Sequence, residues 1–78
     1  MNKITKEEIF EKLLPIIEYQ LFIPQNAISL KTKLVKDNFL IKDMFLKIEE
    51  KFEIKISESS FQKIETVDNL VEYLSRIL

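Results

Sequence analysis

A chain of 78 residues without a single glycine has few folds open to it. Tight hairpins and bulges place residues at positive φ, where glycine alone sits at little steric cost. An all-β domain needs many such turns. This chain has no glycine and only two prolines to build them. The remaining solution is helices joined by short polar loops. The length predicts one domain over residues 1–78, and an apolar share of 46% is enough for one core. A domain this small buries about 60% of the surface its unfolded chain exposes, so little of that core is dispensable.

The apolar spacing says where the helices lie. In "TKEEIFEKLLPIIEYQLF", Thr5 and Glu8 have the spacing of a capping box. Ile9, Leu13, Ile16, Ile17 and Leu21 then follow at helical intervals. Pro15 falls inside this pattern and has no N–H to donate, so a kink or a helix in two pieces is expected. Tyr19 and Tyr73, at apolar spacing on helices, read as core residues with a solvated hydroxyl. The longest connection, "IPQNAISLKTKLVK", carries Ile28, Leu30 and Leu34 as anchors to the core. Asp37 and Asn38 are both good N-caps, and a second helix should start there. "EIKIS" alternates like a strand but has no partner, and reads as an extended loop anchored by Ile54 and Ile56. Ser57 or Ser59 caps a short helical turn, and Thr66 caps a last helix with Val67, Leu70, Val71, Leu74 and Ile77 on one face. The predicted fold is all-α, a four-helix bundle of three main helices and a short third one, near residues 5–20, 38–52, 58–63 and 66–77. The predicted core is Ile9, Leu13, Ile17, Leu34, Met44, Phe45, Ile48, Phe52, Ile54, Phe61, Ile64, Val67, Leu70, Val71 and Leu74.

The second helix has apolar residues on two sides. At about 100° per residue, counting from Phe39, the residues Ile41, Met44, Phe45, Ile48 and Phe52 fall between roughly 140° and 240°. That stripe is the core face. Phe39 and Leu46 fall on the opposite side and Leu40 on the border, among Lys42, Asp43, Lys47, Glu49 and Glu50. Single exposed apolar residues are ordinary, and a loop can cover Phe39. The sharper reading is a protein-docking patch with Phe39 and Leu46 as anchors inside a charged rim.

Composition removes several functions. Twelve basic and thirteen acidic residues give a net charge of −1, which lacks the basic excess of a nucleic-acid binder. Without histidine or cysteine, the commonest general base, the usual zinc ligands and thiol chemistry are all missing. There is no phosphate-cradling glycine loop. Adjacent Glu49 and Glu50 diverge on a helix and read as a solvated face. No enzyme is expected. No apolar run approaches the ~18 residues of a membrane span, and the N-terminal stretch has no signal-peptide core. A monomeric cytoplasmic protein, bound to neither membrane nor nucleic acid, is the expectation.

The stretch from Lys36 resembles the acyl carrier proteins, with the related D-alanyl carrier proteins and peptidyl carrier domains. Their signature is Asp-Ser-Leu or Asp-Ser-Phe opening a helix, matched here by Asp37-Asn38-Phe39. "IEEKF" matches the end of that helix, and "EIKIS", "ESSFQ" and "KIETV" match the segments that follow, without gaps to the C-terminus. "EEIFEKLLPIIEYQLFI" looks like the family's first helix, and the loop after it is several residues shorter than in fatty-acid carriers. The resemblance implies a four-helix domain whose second helix is docked by modifying enzymes and synthases. On this chain the face comprises Asp37, Asn38, Phe39, Leu40, Lys42, Asp43, Leu46, Lys47 and Glu50.

Two departures follow. The family bears 4′-phosphopantetheine on the triplet serine, and this chain has Asn38 in that position. A carboxamide nitrogen is a poor nucleophile because its lone pair is delocalised, and the activated nucleophiles of enzymes start from a hydroxyl, thiol, amine or carboxylate. Asparagine keeps the serine's capping role and loses its chemical one, so no cofactor is expected. The second departure is charge. The family's second helix is strongly acidic, whereas Lys42, Lys47 and Lys51 here interleave with Asp43, Glu49 and Glu50. The predicted function is an interaction module for a synthase, ligase or tailoring enzyme of an acyl or peptidyl pathway. The alternatives are a working carrier with its arm on Ser29, Ser57, Ser59, Ser60 or Ser75, an introduced change at Asn38, or an unrelated helical domain with a similar pattern.

Overall fold

A computed structural model describes residues 4–34 and 39–78. The described residues form α1 (Lys6–Leu21), a 3₁₀ turn (Gln25–Ala27), α2 (Phe39–Phe52), α3 (Glu58–Lys63) and α4 (Val67–Ile77), with no strand among them. The fold is the all-α arrangement expected from the missing glycines, and the helix limits fall within a residue or so of those read from the spacing.

The helix starts are built by the capping residues. Thr5 accepts from the Glu8 N–H and the Glu8 carboxylate accepts from the Thr5 N–H, a complete capping box. Thr66 and Asn69 make the same reciprocal pair at α4. Ser57, not Ser59, caps α3 by accepting from the Ser60 N–H. The expected caps of α2, Asp37 and Asn38, lie outside the described residues.

The missing glycine shows again where helices end. The αL position that closes a helix is usually glycine. Here Phe22 (φ 58°) and Glu53 (φ 56°) take it, against a steric cost of about 1–2 kcal/mol each. At the end of α2 the Ile54 N–H reaches back to the Glu49 carbonyl at 3.0 Å, the six-to-one bond of a Schellman motif. "EIKIS" is then an irregular loop, as expected.

Pro15 does not divide its helix. α1 is assigned without a break from Lys6 to Leu21. The buried face, Ile9, Leu13, Ile17 and Gln20, spans the proline, so packing holds both halves in register. Pro15 and Glu11, whose carbonyl loses its donor, both lie on the exposed side, where water can replace the lost bond.

The core follows the predicted faces. Ile9, Leu13, Ile17, Met44, Ile48, Val67, Leu70 and Leu74 are fully buried, and Phe45, Ile64, Val71 and Leu34 nearly so. Phe45 and Ile48 inside establish the register of α2. Ile28 and Ile41 join them. Phe52, Ile54 and Phe61 are half-buried instead, packed against the buried cluster from its margin. Leu30 and Ile77 are exposed where anchoring was expected: Leu30 stands out from the loop, and Ile77 ends its helix. Tyr19 is also a correction. It is 70% exposed, roughly 100° around α1 from the buried stripe at 100° per residue.

The long connection is fixed by backbone bonds that side-chain patterning does not reveal. The first N–H groups of a helix have no intrahelical acceptor. At α4, Val67 donates to the Thr32 carbonyl and Asp68 to the Leu30 carbonyl, both at 2.9 Å. Leu34 donates to Glu65 at 2.8 Å, beside an isolated antiparallel bridge between Lys33 and Thr66.

Lys6 and Glu72 form an ion pair between α1 and α4. The Lys6 ammonium, as hydrogen-bond donor and as charge, holds the Glu72 carboxyl below the usual carboxylate range. A depressed folded-state pKa stabilises above the unfolded value, and that stability is lost as pH falls through the folded one. Glu72→Gln should therefore melt slightly lower than wild type near neutral pH and no lower at about pH 2. A difference that persists in acid would assign the effect to packing instead.

Candidate functional site

α2 places the candidate surface because its opposite face is committed to the core. With Ile41, Met44, Phe45 and Ile48 buried, the helical period turns Lys42, Asp43, Leu46, Lys47 and Glu50 outward, and all five are exposed. Leu46 is 59% exposed. Leu40 is half-buried at the border. Phe39 opens the helix, while Asp37 and Asn38 lie outside the described residues. Of the predicted face, the structure thus brings Lys42, Asp43, Leu46, Lys47 and Glu50 together on one side of one helix.

Leu46 is a ridge between hollows. On one side lies a groove of about 240 Å³ between α2 and α3, bounded also by Lys42, Glu49 and Phe61. On another, the Leu46 side borders the turn at Glu53 and Ile54. A third hollow runs towards α1, where Tyr19 and Gln20 meet Asp43 and Lys47. An exposed leucine flanked by concavities and ringed with charge can seat against a protein surface of complementary shape.

Two contacts set the outline of this face. Phe45 and Phe61 meet edge to face, with centroids 4.7 Å apart and planes at 82°. Glu49 is not the solvated residue that its sequence suggests. Its Oε2 accepts the Ile56 N–H at 2.6 Å and ties the loop to α2. Sequence reading also missed Tyr19 as part of this region. The Lys47 ammonium lies 5.6 Å from the centre of the Tyr19 ring, within cation–π range. The helical period of α1 turns Tyr19 away from the core, but its meeting with Lys47 is a contact between two helices that no single-helix pattern shows.

The charges of α2 balance. Lys42, Lys47 and Lys51 equal Asp43, Glu49 and Glu50 in number, so the helix carries both signs and no net charge. Among the described residues no His, Cys, Asp or Glu cluster could hold a metal, and no helix is long and apolar enough to cross a membrane.

No protein-family model matches the chain. Individual proteins do. The chain is 32% identical to the acyl carrier protein of Petrotoga mobilis, over 96% of this chain and 93% of that protein. It is 28% identical to the acyl carrier protein of Thermotoga maritima, over 95% and 96% of the two chains. With that of Phytoplasma mali the identity is 32%, over 87% and 86%. Likeness of this extent, on a helical fold of the expected order, shows that the chain belongs to the acyl carrier protein family. The relatives suggest a carrier-protein role.

A 4′-phosphopantetheine group, which the family implies, does not fit the donor at the triplet position. Asn38 offers a carboxamide where a hydroxyl is required. The other candidate hydroxyls have local duties. Ser57 caps α3 and is hydrogen-bonded with Ser59 and Ser60. Ser29 accepts the Lys31 N–H, and Ser75 donates to the Glu72 carbonyl at 2.8 Å.

Proposed function

We propose that this protein is an acyl-carrier-family member that has lost the attachment chemistry and serves as a non-catalytic interaction module. Its partner is a synthase, ligase or tailoring enzyme of an acyl or peptidyl pathway (fatty acid, polyketide, nonribosomal peptide or D-alanyl). The partner docks on the outer face of α2. The observation that carries this reading is Asn38 in the Asp37-Asn38-Phe39 triplet, a residue type favoured at helix N-caps that offers no hydroxyl nucleophile. Phe39 and Leu46 would supply the apolar anchors, and Leu40, Lys42, Asp43, Lys47 and Glu50 the rim. Partner choice then rests on shape and on individual charge pairs, because the helix has no net charge to steer a basic partner.

Leu46→Asp tests the docking face without disturbing the core. An exposed substitution of this kind changes stability by about 0.5 kcal/mol or less. Tagged wild-type and variant chains, purified from the native cell and compared by quantitative mass spectrometry, should differ in one enzyme of acyl or peptidyl metabolism, present with wild type and depleted with Leu46→Asp. Identical sets of co-purified proteins would place docking elsewhere.

A further inference from the structure

The most strongly acidic of the hollows described here lies away from the outer face of α2. Between α1, the long loop and α4 is a groove of about 400 Å³, a size within the range of pockets that accept small ligands or several apolar side chains. Its apolar lining is Phe10, Leu30 and Val71; Leu30 is 45% exposed and Val71 is buried. Its rim has four carboxylates, Glu7, Glu11, Asp68 and Glu72, against one ammonium, Lys6, a balance of −3. Lys6 is engaged by Glu72, and no ion pair among the described residues involves Glu7, Glu11 or Asp68. The whole chain carries only −1, so the rest of it is net basic. The groove is thus more acidic than any of the hollows beside Leu46, the nearest of which in charge has Glu49, Glu50 and Glu53 against Lys55.

The groove is pre-formed. Complete capping boxes at Thr5 and Thr66 fix the starts of both helices that wall it. The Asp68 N–H holds the carbonyl of Leu30 at 2.9 Å, which sets the loop wall against α4. A partner therefore meets ordered walls and does not have to order them.

We propose that this groove binds a basic amphipathic helix of a partner protein, its apolar side chains against Phe10, Leu30 and Val71 and its lysines or arginines against Glu7, Glu11 and Asp68. Charge complementarity selects the occupant. An anionic membrane surface would be repelled by the same rim, and an acidic peptide likewise. The proposal is independent of whether Asn38 carries anything, because none of these residues belongs to the α2 face.

The test is an NMR titration of the isotopically labelled full chain with a synthetic amphipathic helix of leucine and lysine. A leucine–glutamate helix of the same pattern serves as control. Shift changes should centre on Glu7, Phe10, Leu30 and Val71, with no response to the acidic helix. Neutralising the rim in Glu7→Gln/Glu11→Gln/Asp68→Asn should weaken binding roughly tenfold, as three exposed charge pairs contribute about twofold each. Leu30→Ser should weaken it with the rim intact. An equal loss of charge elsewhere, in Glu53→Gln/Glu58→Gln/Glu65→Gln, should leave it within about twofold. Thermal melts establish that each variant is folded. The proposal is overturned by shift changes centred on α2, by equal binding to the rim-neutral and control variants, or by no binding at low salt.

Discussion

Leu13→Ala is expected to unfold most of the protein at room temperature. Leu13 is fully buried at the middle of α1, and its truncation removes apolar burial and leaves a cavity. Together these cost about 2.7–5 kcal/mol. Single cores of domains below about 80 residues rarely supply more than ~3–5 kcal/mol of net stability. No disulfide adds to it, since the chain has no cysteine. The variant should lose most of its helical circular dichroism without denaturant, where wild type shows a cooperative urea transition. A variant with a wild-type midpoint would mean that this side chain does not hold α1 to the core.

The contrast between Leu13 and Leu46 shows what the sequence makes legible. Both are leucines on amphipathic helices, and the helical period alone puts Leu13 inside and Leu46 outside. The same reasoning located Thr5, Thr66 and the buried faces of α2 and α4, because a period and a cap are local properties. It was less informative where tertiary contacts decide. Nothing local says that Leu30 and Thr32 offer their carbonyls to the start of α4, or that Glu49 reaches the Ile56 N–H. Phe52, Ile54 and Phe61 have the apolar character of core residues, yet they stay half-buried, because cover depends on what packs over a side chain and not on its own type. Pro15 carries a local penalty, yet α1 continues across it instead of dividing, with buried residues on both sides of the proline.

The candidate site divides in the same way. The composition of α2 and its outward residues could be read directly, as could the amide at Asn38. Tyr19 beside Lys47 could not, since it brings two helices together. The acidic groove also joins residues far apart in the chain, Glu7 and Glu11 with Asp68 and Glu72. In sequence these look like ordinary solvated positions.

Placing a hydroxyl at position 38 should separate the chemistry of the triplet from its recognition. Asn38→Ser is expected to be modified weakly or not at all by a phosphopantetheinyl transferase, because the enzymes of this family read an acidic helix and Lys42 and Lys47 lie on the exposed side of α2. Adding Lys42→Glu and Lys47→Glu to Asn38→Ser reverses both charges. Steering by exposed charge changes association rates by about 10–10³-fold, so the triple variant should be modified at least about tenfold faster than Asn38→Ser at low salt. The gain should shrink towards physiological ionic strength, where the screening length falls to about 8 Å. If the lysine changes do nothing at any salt concentration, charge is not what limits modification, and the connection between Leu21 and Leu34 is the remaining suspect.

The central claim is that this carrier-family chain bears no arm. It is tested most directly by the intact mass of the wild-type protein after incubation with coenzyme A and a broad-specificity phosphopantetheinyl transferase, beside a serine-bearing carrier modified in the same tube. An unchanged mass for this protein and one added phosphopantetheine on the control is the predicted result. One phosphopantetheine added to the wild-type chain, at any residue, would contradict it.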